Sequence, residues 1–359
     1  MKDIIMSPLS GVLDCELIVG NSNPRFSGVT STMLQTLPHQ ASIMSVRVMG
    51  DHHLYDSSMA ISFWQVARFF RKVLPDGRWR IFHARRNDEM IQALLLKFIF
   101  RVKVKIVFTS TAQRNHSAFT RWLMSKMDSV ISTCEAAASY LSFKPDAIIP
   151  HGIQIETYFP VDDRQRLWQS QGMGGERGLA IFGRVREQKG VHHFVNSCIQ
   201  VLPGRPGYTA IIVGRISVSN ESFVNKLKLK IADAGLEGRI RFLGELPFEK
   251  IPELFRSVSL VAALSKNEGF GLTVLEAMGS GTAVLATDAG AWREVVREGI
   301  DGFVVAPEDQ AAITEKLNEM LANPMVLDGM GLHGRERVLD CYTVEREAAS
   351  LCKFFCSLQ

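Results

Sequence analysis

Short apolar runs rich in β-branched residues alternate with amphipathic stretches along this chain, and the alternation breaks off once and restarts. Such a rhythm specifies parallel sheets, because parallel neighbours need a crossover long enough to hold a helix. In the first half the runs fall at 15–20, 42–48, 80–83, 102–109, 129–132 and 147–150, with helices expected between them, among them 59–73 and 87–98. Residues 160–178 then turn polar and glycine-rich. Beyond them strands are expected at 179–183, 209–213, 240–243, 260–263, 283–286 and 302–305, and helices at 191–202, 221–234, 251–257, 272–279, 308–321, 325–341 and 344–356. A length of 359 residues suits two domains better than one. The expected fold is α/β, with two Rossmann-like parallel-sheet domains facing a central cleft: residues 1–165, residues 166–340, and a last helix in 341–359 that returns to pack on the first domain. Alternation of Lys103 and Lys105 suggests that the strand at 102–109 lies near a sheet edge. Ligands of such sheets collect at the carboxyl ends of strands, where the strand order reverses.

Composition narrows the functional classes. Hydrophobic residues at 46% and charged residues at 22% fit a packed globular chain rather than a disordered one. No run reaches the ~18 apolar residues of a membrane span. The N-terminus lacks a basic stretch followed by an apolar core, so a cytoplasmic protein is expected. The six cysteines are scattered with no Cys-x-x-Cys pair, and read as reduced thiols rather than metal ligands. The net charge is +4, yet residues 1–160 hold 18 Lys/Arg against 12 Asp/Glu and the remainder 23 against 25. The positive field therefore belongs to the first half.

The densest chemical signal is Ser-Lys-Asn-Glu-Gly-Phe-Gly-Leu-Thr-Val-Leu-Glu-Ala-Met-Gly-Ser-Gly at 265–281, which follows an apolar strand and opens a helix. Gly269 and Gly271 let backbone approach a ligand, and the first amides of the helix, at Gly271, Leu272 and Thr273, suit a phosphate. Glu268 stands before the helix and Glu276 within it. Carboxylates beside an anion site would repel phosphate, so hydroxyls are their natural partners, one on a sugar and one on a ribose. A second signal, Phe-Gly-Arg-Val-Arg-Glu-Gln-Lys-Gly at 182–190, places Gly183 at a strand end, with Arg184 and Lys189 able to converge on one diphosphate. Taken singly, each string also fits a solvated loop at a helix start.

Together these strings resemble the GT-B retaining glycosyltransferases that use nucleotide-diphosphate sugars, family 4 in the usual grouping. The resemblance covers most of 178–310. It includes Phe-Leu-Gly-Glu-Leu at 242–246, Gly-Thr-Ala-Val-Leu-Ala at 281–286, and Gly290, Glu294 and Gly302. It implies that Arg184 and Lys189 hold the diphosphate, that Glu268 holds hydroxyls of the transferred sugar, and that Glu276 holds the ribose. Gly244 and Leu246 would meet the base, and Gly183, Gly269, Phe270, Gly271, Leu272 and Thr273 would line the donor. It implies no metal and no cofactor beyond the substrate nucleotide sugar, since cations and a helix N-terminus absorb the leaving-group charge.

In the first half, Phe-Ser-Gly-Val-Thr at 26–30 resembles the family's glycine turn over donor and acceptor, with Gly28 opening a helix. Many family members carry a histidine at the end of the strand corresponding to 102–109. Here the chain reads Thr-Ser-Thr-Ala-Gln-Arg-Asn-His at 109–116, which leaves Gln113, Arg114 and His116, or none of them, to take its place. Arg85 and Arg86 follow another strand end, where adjacent arginines suit a carboxylate or phosphate, or simply a solvated helix start. The segments at 27–31, 83–89 and 108–114 are similar to the family's branch of mannosyltransferases that extend the Kdo inner core of lipopolysaccharide. That similarity implies GDP-mannose as donor and an anionic Kdo–lipid A acceptor held by Arg85, Arg86, Gln113, Arg114 and His116. Between residues 90 and 127 there are seven Lys/Arg and no acid, interleaved with aromatics. This window suits an anionic membrane surface or an acidic acceptor; no recognition module points to nucleic acid. Peripheral association with the cytoplasmic face of the inner membrane is expected. Rival readings are another nucleotide-sugar donor and glycan acceptor, a sugar-nucleotide epimerase on the same fold, and an inactive scaffold. A nicotinamide enzyme is disfavoured because Val274 stands where Gly-x-Gly-x-x-Gly needs its third glycine.

Overall fold

The computed structural model describes residues 13–359, so most of the N-terminal stretch read for an export signal lies outside the described residues. The first sheet contains β1 (Leu17–Gly20), β2 (Val46–Met49), β3 (Ala60–Ile61), β4 (Arg80–Ala84), β5 (Val104–Ser110), β6 (Ser129–Ser132) and β7 (Ala147–Ile148), in the order β3-β2-β1-β4-β5-β6-β7. The second contains β8 (Arg177–Phe182), β9 (Tyr208–Val213), β10 (Ile240–Gly244), β11 (Val258–Ala263), β12 (Ala283–Thr287) and β13 (Gly302–Val305), in the order β10-β9-β8-β11-β12-β13. The pairings are parallel. Strands of this kind are covered on both faces, which is why β1, β9 and β11 are unbroken apolar or small runs that are buried throughout.

Each sheet has one place where its strand order reverses, β1/β4 in the first and β8/β11 in the second. One face of the first sheet is covered by the helices Gly28–Ala41 and Val344–Leu358, through Met33, Leu37, Leu351 and Phe355. Its other face is covered by the helices Phe63–Phe69, Asn87–Leu94 and Ala118–Met124, through Val66, Met90 and Leu123.

The chain divides into two compact units, residues 13–151 with Val344–Gln359, and Gly152–Thr343. The division falls after His151 instead of at 165–166. The polar stretch 160–178 lies inside the second unit because its helix, Arg164–Ser170, is pinned there: Arg164 donates to the carbonyls of Val258 (2.8 Å) and Gly281 and to Thr282 Oγ1 (3.1 Å). The last helix joins the first unit through its core residues and through His151 Nδ1, 2.7 Å from Glu347 Oε1.

Other expectations are corrected. Residues 59–73 are not one helix: β3 comes first, and Ser62 then starts a new helix as a capping box with Gln65. The helix expected at 87–98 ends at Leu94 and passes into a π turn, Leu95–Ile99. The strand at 102–109 is no edge, since β5 pairs with both β4 and β6. Lys103 lies before β5, over the Trp79 ring at 5.5 Å, and Lys105 Nζ donates to the Leu358 carbonyl. A cation is favourable at that helix end because the dipole is negative there.

Candidate active site

The two strongest sequence strings meet at the β8/β11 end of the second sheet. β8 delivers Gly183 and Arg184, and the chain turns through Glu187–Lys189 into the helix Val191–Val201. Gly190 makes that turn with φ +70, and a Cβ there would overlap the Leu264 carbonyl. β11 delivers Ser265 to Gly271, and Gly271, at φ +84, starts the helix Leu272–Gly279. A Cβ on Gly271 would overlap the indole of Trp292, whose Nε1 donates to the Gly271 carbonyl at 2.8 Å. Phe270 is buried, and its carbonyl accepts from Ala291 N at 3.0 Å. The loop is thereby fixed from behind. No side chain caps the helix, so the first amides, including those of Leu272 and Thr273, lack intrahelical acceptors.

The charged groups sort themselves around this loop. Lys189 Nζ is ion-paired with Glu268 Oε2, which also accepts from Ser265 Oγ at 3.2 Å. Arg184 is exposed at the end of β8 and has no ion pair among the described residues. Glu276 is half-buried and accepts a hydrogen bond from Tyr158 Oη at 3.1 Å; burial pushes its carboxyl up to about 7. Gly244 ends β10 at φ +73, and its carbonyl accepts from Gly214 N at 2.8 Å. Leu246 follows it, half-buried. Gly269 lies in the loop between Glu268 and Phe270. Thus Gly183, Arg184, Lys189, Glu268 and the 269–273 loop belong to one strand-end region; Glu276 lies further along the helix against Tyr158, and Gly244 and Leu246 lie beyond β9. The sequence reading missed Tyr158, which comes from a distant segment, and Gly214, whose only signal is a glycine directly after an apolar strand.

The β1/β4 end of the first sheet is assembled differently. Gly28 begins the helix Gly28–Ala41, and a Cβ there would meet nothing within 4 Å. Arg86 Nη2 donates to Ser27 Oγ (2.8 Å) and Thr30 Oγ1 (2.9 Å), so this arginine holds the turn that precedes the helix. The side chain of Glu89 lies under Gly20 and accepts from Arg85 N at 2.7 Å; burial raises its carboxyl. Arg85 keeps a buried Nε with no partner, and its guanidinium is lowered by burial. Beyond β5, Gln113 Nε2 approaches Cys134 Sγ at 3.7 Å, Arg114 is exposed, and His116 Nε2 lies 3.3 Å from Ser110 Oγ. Burial lowers His116. A buried histidine escaped the sequence reading as a site residue: His83, on β4, pairs Nε2 with Thr109 Oγ1 at 2.6 Å and leaves Nδ1 without a partner. Burial holds it well below the usual imidazole range. Among the described residues no cluster of His, Cys, Asp or Glu could hold a metal ion, and no helix is long and apolar enough to cross a membrane.

Residues 164–337 match the family model of the glycosyl transferases group 1. The chain is 38% identical over 348 residues to a lipopolysaccharide core biosynthesis mannosyltransferase, LpcC, of Rhizobium leguminosarum, with 97% of each chain covered. It is 37% identical over 352 residues to another, LpsB, of Rhizobium meliloti, covering 97% of this chain and 99% of that one. The crystal structure of Anabaena HepE in complex with UDP superposes with a TM-score of 0.80 at 19% identity, covering 96% of this chain and 100% of that one, a likeness of fold.

Proposed function

We propose that this chain, which belongs to the glycosyl transferases group 1 family, transfers a mannosyl residue from GDP-mannose to the Kdo-bearing inner core of lipid A. The transfer retains anomeric configuration and takes place at the cytoplasmic face of the inner membrane. Glycosyl transfer as such follows from membership of the family. The finer reading is supported by one observation: similarity to lipopolysaccharide core mannosyltransferases, at 37–38% identity, extends over 97% of the chain, and so takes in the first unit as well as the family motifs.

In this reading the incoming diphosphate draws Lys189 away from Glu268 and meets Arg184 and the amides of Leu272 and Thr273. Glu268, released, accepts hydroxyls of the mannosyl group. Glu276, ionised, accepts from the ribose in place of the Tyr158 hydroxyl. Gly244 and Leu246 flank the base, and the Gly269–Phe270–Gly271 backbone lies along the donor. As the glycosidic bond lengthens, the sugar becomes cationic and the leaving phosphate gains charge. Fixed cations and helix amides stabilise that state more than the ground state, so no metal is required. The departing phosphate oxygen takes the proton of the acceptor hydroxyl on the same face. Arg85, Gln113, Arg114 and His116 hold the acceptor carboxylate and phosphates, and Arg86 does so while fixing the Gly28 turn.

The test is transfer from GDP-mannose to Kdo–lipid A with product anomericity read by NMR, beside a thermal-shift panel of GDP, UDP and ADP sugars. A donor at a hundredfold its Kd adds about 2.7 kcal/mol of stability. The expected result is an α-mannosylated product, stabilisation by GDP-mannose alone, and a rate that chelator leaves unchanged. Transfer from a UDP or ADP sugar would replace the donor. Interconversion of free UDP-GlcNAc without acceptor would favour an epimerase, and binding of no nucleotide sugar a scaffold.

A further inference from the structure

The proposed reaction uses Lys189 and Glu268 and makes no use of a cavity on the other side of the loops that carry them. Gln188 and Gly190 line that cavity while Lys189 between them does not, and Leu264 and Lys266 line it while Glu268 does not. The cavity measures about 340 Å³ and lies within the second unit. That is the small end of the range for ligand sites, with room for one sugar ring. Its polar walls are Glu187, His192, His193, Lys266 and Glu308.

Two imidazole nitrogens there are buried and have no partner among the described residues, Nδ1 of His192 and Nε2 of His193. His193 is 9% exposed, and its orientation is fixed from behind. Gln310 Nε2 donates to the His193 carbonyl (3.2 Å), Ser197 Oγ (2.8 Å) and Thr314 Oγ1 (3.1 Å), so its Oε1 accepts from His193 Nδ1 at 2.9 Å. With the proton on Nδ1, Nε2 of the neutral ring is an acceptor. The His192 ring lies 3.9 Å from that of His193, with Phe223 edge-on to it at 6.0 Å, and burial lowers the His192 imidazole. A buried polar atom left unpaired costs energy, and two of them at one cavity call for a partner from outside the chain.

The rim carries a second irregularity. Glu308 takes φ +63, a left-handed conformation that is strained for a residue with a Cβ and is kept where the side chain is needed. Lys266 Nζ holds its carboxylate at 2.8 Å, and that hydrogen bond lowers the carboxyl. Glu187 lies close enough to Lys266 to raise the ammonium as well.

Acceptors therefore outnumber donors in the cavity. An anion would face two carboxylates. A cation would face the start of the helix Val191–Val201, whose first amides no side chain caps. A neutral ligand rich in hydroxyls meets neither objection, because hydroxyls donate to His193 Nε2 and the carboxylates and accept from Lys266. We propose that this cavity binds one neutral pyranoside as a regulatory ligand, at a site separate from that of the transferred sugar. Lys266 N donates to the Gln188 carbonyl at 2.9 Å and Gln188 Nε2 bonds Asn267 Oδ1, so the cavity walls and the backbone that carries Lys189 and Glu268 form one piece. A sugar ring that bridges both walls tightens this pair of loops and raises nucleotide affinity. Binding of the pyranoside stands apart from the donor assignment; only the nucleotide arm below rests on it.

The test is NMR of the full chain, reading the imidazole C–H signals of His192 and His193 as methyl α-mannopyranoside or methyl α-glucopyranoside is added, with affinities from calorimetry. One of these pyranosides should move both signals, with a Kd of about 1 mM, as befits so small a ligand. Glu308→Gly should weaken binding at least about tenfold with Tm kept, since glycine accepts the backbone conformation and only the carboxylate is lost. His192→Phe keeps the ring contacts and should cost about threefold or more. Glu268→Gln should bind the pyranoside as wild type does. With pyranoside saturating, GDP should bind at least about threefold more tightly, and GDP should tighten the pyranoside by the same factor. The proposal is overturned if neither pyranoside moves the histidine signals, or if Glu308→Gly and His192→Phe bind at wild-type strength. Loss of binding in Glu268→Gln alone would overturn it too, because the ring would then sit with the donor. Signals moved by inorganic phosphate or spermidine but by neither pyranoside would overturn the ligand class, and pyranoside binding with GDP affinity unchanged would overturn the regulation. Pyranoside bound at the histidines by a chain that binds no GDP would support the site and count against the nucleotide reading alone.

Discussion

At the β8/β11 end, glycine backbone packs directly on its neighbours: the turn at Gly190 runs against the Leu264 carbonyl, and the loop at Gly271 lies on the Trp292 indole. At the β1/β4 end, side chains do the joining, with Arg86 reaching Ser27 and Thr30, and Glu89 filling the space under Gly20. The same topology therefore carries two kinds of construction. The backbone-built end tolerates almost no change of residue at its turns, and its charged side chains are free of that work: Lys189 and Glu268 pair with each other, and Arg184 has no ion pair among the described residues. The side-chain-built end has room at its turn and spends its charges on holding itself together.

The largest effect that separates the two ends should come from their glycines. Gly190→Ala must place a Cβ against backbone at a left-handed φ, and a loss of about 4 kcal/mol or more is expected, read as failure to express soluble protein or a collapsed Tm. Gly28→Ala meets open space at a helix start and should leave Tm unchanged within about 1 kcal/mol. Equal damage from both would erase the contrast. Next in size are the two cations beside the second sheet's loop, Arg184 and the Glu268-paired Lys189. Arg184→Ala or Lys189→Ala should cut turnover at least roughly 100-fold, by analogy with loss of one oxyanion donor, with Tm preserved. Near-normal turnover in both would remove them from the diphosphate.

Arg86→Ala probes the other end. It strips a charged donor from two hydroxyls, and about 2 kcal/mol of stability should go with it, measured by urea unfolding. A variant as stable as wild type but poor in acceptor KM would move Arg86 from holding the turn to holding substrate. The smallest effect is one of pH. The Glu276 carboxyl is raised to about 7, so its contribution to stability is present below its unfolded value of 4.5 and lost as pH rises through 7. Nucleotide binding has the opposite sign, because ribose hydroxyls need the carboxylate. GDP affinity measured by calorimetry should fall about tenfold per pH unit below 7, and Glu276→Gln should flatten that slope. Glu268→Gln should weaken transfer while sparing bare GDP; matching losses of GDP affinity in Glu268→Gln and Glu276→Ala would end the division of labour between them.

The contrast also explains what could be read from residues alone. Glycine turns and the charges beside them are neighbours in sequence, so the loops at 182–190 and 265–281 were legible together with the strands that deliver them. The strands at 129–132 and 302–305 fall where the apolar runs placed them. Side-chain construction leaves no such trace. Tyr158 reaches Glu276 across 118 positions, and Arg86 reaches Ser27 across 59. Neither partner can be guessed from local chemistry. Lys105 misled for the same reason: its alternation looked like an exposed edge, whereas its partner is the end of a helix 253 positions away. The π turn was hidden too, since Leu95 and Leu96 continue a helical apolar pattern and only packing shows where it widens.

The return of the last helix to the first unit has a consequence for how the molecule is made. Leu351, Cys352 and Phe355 complete a core whose other members lie between Leu17 and Ile149. A ribosome must therefore synthesise all of Gly152–Thr343 before that core can close. At about 5–20 residues per second this is roughly 10–40 s in which one face of the first sheet, with only the helix Gly28–Ala41 on it, waits partly uncovered. During that interval the nascent first unit is a client for holding chaperones, and the second unit, whose segments are contiguous, is free to finish first. A stop codon that removes only the final helix would damage the part of the protein made earliest.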